Sequence, residues 1–182
     1  MVGVTQGPEL GIEPGELGGA AYSVRGFTAA TDTSYPNALA TLWNPSSDKR
    51  ICVVEVWLFL AGALPQTTRN NPRLVLATAR GTAGSTITPD GDNDLGGEGA
   101  APPSGALLDL AAYSAEPTLA SPPLWGVTFG GSSVTGSAGH GWTWAAPGGV
   151  WVPPGQGLCL LADDGAAAAW PTSEVVFEWL EG

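Results

Sequence analysis

"GGVWVPPGQGLCLLADD" occupies residues 148–164, and its reading decides the fold. Val150, Trp151 and Val152 end one strand; residues 158–162 begin another. Between them stand Pro153, Pro154, Gly155, Gln156 and Gly157. Proline offers no N–H and fixes φ, so this segment is a corner and not the middle of a ladder. Gly155 and Gly157 supply the positive φ values that a tight bend needs. Beyond the corner Leu158 and Leu160 point one way, Cys159 and Leu161 the other.

The same grammar of short apolar runs and Gly/Pro breakers extends over most of the 182 residues, which hold 27 glycines and 16 prolines. Strands are expected over residues 20–30, 38–43, 51–60, 73–80, 123–129, 140–146, 157–162 and 173–180. The strongest is "ICVVEVWLFL" (51–60), which follows the turn cluster "WNPSSDKR". Cys52, Val54, Val56, Leu58 and Leu60 share one face at period two; Ile51, Val53, Glu55, Trp57 and Phe59 share the other. Both faces are apolar apart from Glu55, so the strand is covered on both sides or one face meets another subunit. "LLDLAAYS" (107–114) is the one helix candidate. About eight antiparallel strands with long, unequal connections and no fixed repeat point to an all-β sandwich of jelly-roll type. An immunoglobulin-like sandwich ranks second, because the spacing from Cys52 to Cys159 is too wide for its Cys–Trp–Cys pattern. Residues 20–182 form the sandwich domain. Residues 1–19, rich in Gly, Pro and Glu, read as an extended arm whose loss spares the fold and weakens assembly.

The formal net charge is −11, and charged residues make up only 13% of the chain. With one lysine and five arginines there is no basic stripe to track phosphates, so nucleic acid is not an expected partner. No run approaches the roughly 18 apolar residues of a membrane span, and the first residues lack the basic and apolar regions of a secretory signal. Cys52 and Cys159 lie inside apolar runs and read as buried thiols, not a disulfide.

Catalytic constellations are thin. His140, the sole histidine, stands between glycines, and there is no G-x-S-x-G elbow. Glu55 and Glu178 each interrupt an apolar strand and are the one acid pair worth weighing for glycoside hydrolysis; the simpler reading has them facing solvent or pairing with Arg73 or Arg80. In the long loop 81–106, Asp90, Asp92 and Asp94, with Glu98 beyond, are spaced as ligands for a hard cation such as Ca²⁺. Leu95 stands where an EF-hand has its glycine, so a solvated acidic loop is the favoured reading and no cofactor is expected. Eight tryptophans exceed what a core of this size needs. Trp57, Phe59, Trp142 and Trp144 are therefore the interface candidates.

Three stretches carry a resemblance: "TLWNPSSDKR" running into "ICVVEVWLFLAG", then "RLVLATARGTAGSTITP", then the final "GGVWVPPGQGLCLLADDGAAAAWPTSEVVFEWLE". Over residues 39–80 and 148–181 the chain resembles virion proteins of tailed bacteriophages and related prophage-like elements. There an L-x-N-P turn precedes a long apolar strand, a PPG-x-G-L turn precedes the penultimate strand, and an E-x-x-F-E-W strand closes the chain. The resemblance implies a non-enzymatic virion structural protein, made in the host cytoplasm, serving as a head decoration protein or spike component. Its implied partners are the major capsid protein or another virion protein, and copies of itself, with a trimer favoured. The alternative is a carbohydrate- or receptor-binding sandwich module of a tail or spike.

Overall fold

The structure is a computed structural model and describes residues 20–29, 37–61, 71–89, 101–126, 141–163 and 170–181. The arm 1–19, His140, Asp90, Asp92, Asp94 and Glu98 lie outside the described residues. The described chain is all-β: two antiparallel sheets packed face to face. In chain order the strands are β1 (Ala20–Thr28), β2 (Asn37–Asn44), β3 (Ile51–Leu60), β4 (Asn71–Ala79), β5 (Ser85–Ile87), β6 (Leu107–Leu110), β7 (Thr118–Leu119), β8 (Trp125–Gly126), β9 (Gly141–Val152), β10 (Gln156–Asp163) and β11 (Ser173–Glu181). Sheet A has the order β1-β11-β3-β9; sheet B has the order β5-β6-β2-β10-β4-β7, with β8 also on β4.

The pairings nest. β1 pairs with β11, β2 with β10, β3 with β9 and β4 with β8, so the chain folds back on itself as one long hairpin wound into two layers. The corner at Pro153-Pro154-Gly155 carries the chain from β9 in sheet A to β10 in sheet B. Gly155 adopts φ +67°, and its N–H donates to the Asn44 carbonyl. Gly157 does not share this role: it has no positive φ, and the Trp43 ring packs where its side chain would be.

Between the sheets lies the main core, built from alternate residues of each strand: Val24, Leu42, Val56, Leu58, Leu74, Leu108, Leu158, Leu160, Val175, Phe177 and Trp179 among them. β11 alternates without interruption, with Ser173, Val175, Phe177, Trp179 and Glu181 inward. β3 does not. Against β11, Glu55 pairs with Glu178 but Val53 pairs with Trp179, so Val54 is an extra residue. This bulge switches the inward face from Ile51 and Val53 to Val56, Leu58 and Leu60, and the single period-two register expected for β3 is thereby corrected. β9 is likewise one strand from Gly141 to Val152 instead of two short ones. Residues 146–149 bulge out opposite Val54, with Gly148 and Gly149 at φ +83° and +66°.

The helix expected over 107–114 is not formed. Leu107–Leu110 is β6, paired with β2 and β5; Leu108 and Leu110 point into the core and Asp109 points out. The loop expected over 81–106 also carries β5. After β6 the chain crosses the outer face of sheet B. There Tyr113 and Leu119 cover Ala38, Trp43, Val75, Ala77, Cys159 and Leu161 in a second, smaller core.

Candidate functional site: the outer face of sheet A

The two sheets differ in what covers their outer faces. Sheet B is covered by the chain's own segment 111–117, which then joins the sheet as edge strand β7. Tyr113 O–H donates to the Asp109 carbonyl (3.0 Å) and its oxygen lies 3.1 Å from Thr41 Oγ1, while the Ala38 N–H donates to Glu116 Oε2 (2.8 Å). Asp109, 1% exposed, is held by Arg80 through two bonds of 2.7 Å and by Thr86 O–H at 2.6 Å. Arg80 is thus committed to Asp109 and is no partner for Glu55 or Glu178.

Over sheet A no described segment packs. The register places its outward side chains in three rows of four across β1, β11, β3 and β9. One row is Ser23, Glu178, Glu55, Ala145; the next is Arg25, Val176, Trp57, Thr143; the third is Phe27, Glu174, Phe59, Gly141. Beyond the bulge follow Ala21, Leu180, Cys52 and Trp151. Phe27 is 62% exposed and Trp151 49%. Trp57 and Phe59 lean together with ring centroids 5.6 Å apart and planes tilted by 46°, and Phe59 covers Gly141. Ser23, Arg25, Trp57, Phe59, Glu174, Val176 and Glu178 line a shallow depression of ≈ 380 Å³.

The electrostatics are uneven. Arg25 Nε lies 3.4 Å from Glu174 Oε1 and forms an exposed ion pair. Glu55 and Glu178 stand directly opposite each other, and among the described residues no cation pairs with either. Burial, then the neighbouring Glu55 charge and the hydrogen bond that the protonated Glu178 donates to Glu55, raise the Glu178 carboxyl above the ordinary carboxylate value. The indole N–H of Trp57 is buried and finds no acceptor among the described residues.

Trp57 and Phe59, expected at an interface, belong to this face. Trp142 and Trp144 do not: they point inward from β9 and pack against the core beside Trp125, around an apolar gap of only ≈ 10 Å³. Of the remaining tryptophans, Trp170 and Trp179 are fully buried and Trp43 belongs to the smaller core. Cys52 and Cys159 are both free and buried; burial raises both thiols, Cys159 to about 12. Among the described residues no group of three or more His, Cys, Asp or Glu side chains gathers to hold a metal.

Compared with protein-family models, curated proteins and solved structures, the chain matches none. The functional reading therefore rests on the geometry of this face. Sequence reasoning missed two of its members, Phe27 and Trp151, because an isolated aromatic in a short strand carries no sign of which side it faces until the register is known.

Proposed function

We propose that the chain is a non-enzymatic docking subunit that joins a larger assembly through the outer face of sheet A. The setting is the one implied by the resemblance: the exterior of a tailed-phage particle, as a decoration or spike component on a capsid or other virion protein. The strand order supports a jelly-roll reading, in which the nested pairing is the wound hairpin of that fold and β5–β6 is an addition to one edge. One contrast carries the functional reading. Sheet B has its outer face covered by the chain's own segment at Tyr113 and Glu116, whereas sheet A carries Phe27, Trp57, Phe59, Val176 and Trp151 with no described segment above them. Aromatic residues in a contiguous patch are the usual anchors of a protein interface.

Phe27 is exposed enough to be changed without touching the core. Phe27→Glu is expected to leave the fold and thermal transition unchanged and to weaken co-sedimentation with particles lacking the protein at least roughly tenfold. Unchanged particle binding by both Phe27→Glu and Trp151→Glu would remove sheet A as the docking face. Light scattering of the free protein reads the oligomeric state, for which a trimer is the expectation.

A glycan-binding module is the second reading, favoured by the ring pair at the floor of a polar-rimmed depression. The 46° tilt between those rings denies a sugar a continuous flat platform, which ranks this reading below the first. A hydrolase built on Glu55 and Glu178 has less support. The two carboxyls are cross-strand neighbours hydrogen-bonded to each other, whereas glycosidases hold theirs about 5 Å or more apart with the sugar bond between.

A further inference from the structure

We propose that the depression at Trp57 receives an arginine or lysine side chain of the protein that covers sheet A. This rests on the docking reading above and names the chemistry that such a partner must bring.

The charges on the face argue for it. Its three rows carry three carboxylates, Glu55, Glu174 and Glu178, against the single guanidinium of Arg25, which is already paired with Glu174. A surplus of negative charge therefore remains at the Glu55–Glu178 pair. That pair stands next to an aromatic group: Glu55 precedes Trp57 by two residues on the same side of β3, and Glu178, on β11, is diagonal to Trp57 across the β3–β11 pair. A ring face beside two carboxylates is the arrangement that binds guanidinium and ammonium groups, because the ring quadrupole and the carboxylates attract the same charge. A second copy of this chain docked on the same face would bring like charges together across the interface, which disfavours it at neutral pH. A neutral glycan would leave the carboxylate pair uncompensated.

Protonation gives the interaction a direction. The groups facing Glu178 are Ser23 from β1 and Glu55 from β3, with Arg25, Glu174 and Trp57 in the neighbouring rows. Burial and Glu55 raise the Glu178 carboxyl, so an arriving cation displaces its proton, and binding tightens as pH rises through that titration.

The test is a titration of the full-length ¹⁵N-labelled protein followed by NMR. The probes are N-acetyl-arginine amide and N-acetyl-lysine amide, with N-acetyl-citrulline amide as the uncharged isostere. The Trp57 indole resonance is assigned from its disappearance in Trp57→Phe. Expected are saturable shifts of that resonance and of the Ser23, Val176 and Glu178 amides, with a midpoint on the order of 10 mM at low salt. They should be lost in about 1 M sodium chloride. Glu178→Gln should raise the midpoint roughly fivefold while leaving core resonances in place. No saturable shift with arginine or lysine, or an equal shift with citrulline, overturns the proposal; so does a saturable shift produced by a neutral oligosaccharide and not by arginine. If arginine fails while Phe27→Glu still abolishes particle binding, the face docks by other chemistry and the cation site falls alone. If arginine saturates the site while Phe27→Glu and Trp151→Glu both bind particles normally, the cation site stands and the docking reading falls.

Discussion

The Glu178 carboxyl shows how one side chain sets a pH dependence. Its pKa in the folded state lies above the ordinary carboxylate value, so the folded protein holds this proton more tightly than the unfolded chain does. Stability is therefore lost as pH rises from the ordinary carboxylate range through the raised value. Like charges directly opposite each other in a sheet cost a few tenths to about 1 kcal/mol. Glu178→Gln is expected to gain about 0.5 kcal/mol at neutral pH and nothing well below the carboxylate range, read from urea midpoints at the two pH values. Glu181 lies three residues further along β11. It is buried, and it accepts hydrogen bonds from the Ser104 N–H (2.8 Å), the Ser104 hydroxyl and the Trp179 indole N–H (2.8 Å), which anchor residues 101–106 beside β11. Glu55 and Glu178 stood out in the sequence as lone acids in apolar strands. Nothing there showed that they meet, because that depends on a register fixed by a one-residue bulge.

Single strands were largely legible and their phases were not. The apolar character of β3 on both sides was plain from "ICVVEVWLFL"; its inward side is buried in the core, while Glu55, Trp57 and Phe59 on the outer side are only half-buried. The switch of inward face at Val54 left no mark in composition, since valine suits either side of a sheet. β6 was misread as helical because Leu-Leu-Asp-Leu fits both periods over four residues. The partner that settles the matter, Arg80, reaches Asp109 from 29 positions earlier in the chain. Removing that partner leaves a carboxylate that is 1% exposed without its counter-ion. Arg80→Ala is expected to cost about 2–3 kcal/mol, with a smaller loss for Arg80→Lys because an ammonium cannot span both oxygens. A urea midpoint that falls at constant slope confirms it; an unchanged midpoint would mean that Thr86 and solvent suffice for Asp109. The outer strand β9 shows another element-scale device. Pro147 and the bulge at 146–149 interrupt an edge that would otherwise offer a long row of unpaired amides.

At the level of the molecule, a two-sheet sandwich followed from the spacing of runs and breakers, and the turn at Pro153-Pro154-Gly155 marks a crossing between layers, with β10 starting at Gln156, earlier than read. The sequence could not say which outer face is covered, since that depends on where residues 111–117 lie down. The two cysteines sit on opposite outer faces, Cys52 beneath the Gly148–Gly149 bulge at the side of sheet A and Cys159 on a central strand of sheet B under Tyr113. Local opening near an edge needs less free energy than opening the middle of a sheet. Cys52 is therefore expected to react with an alkylating reagent at least roughly tenfold faster than Cys159 at mildly alkaline pH, measured by peptide mass spectrometry. Equal rates would show that both thiols are released only by the same global event.

The nested pairing also orders events in time. Among the described strands β1 has one neighbour in sheet A, β11, joined through Ala20 and Glu181 at the far ends of the register. During synthesis β1 therefore waits, unpaired, until every other strand has emerged. The strand lying between β1 and β3 arrives after both. Long-range pairing of this kind makes folding slow and leaves strand edges exposed meanwhile. A nascent chain halted before β11 would hold sheet B's strands and no completed sheet A, so the β1 edge stays exposed until β11 is made.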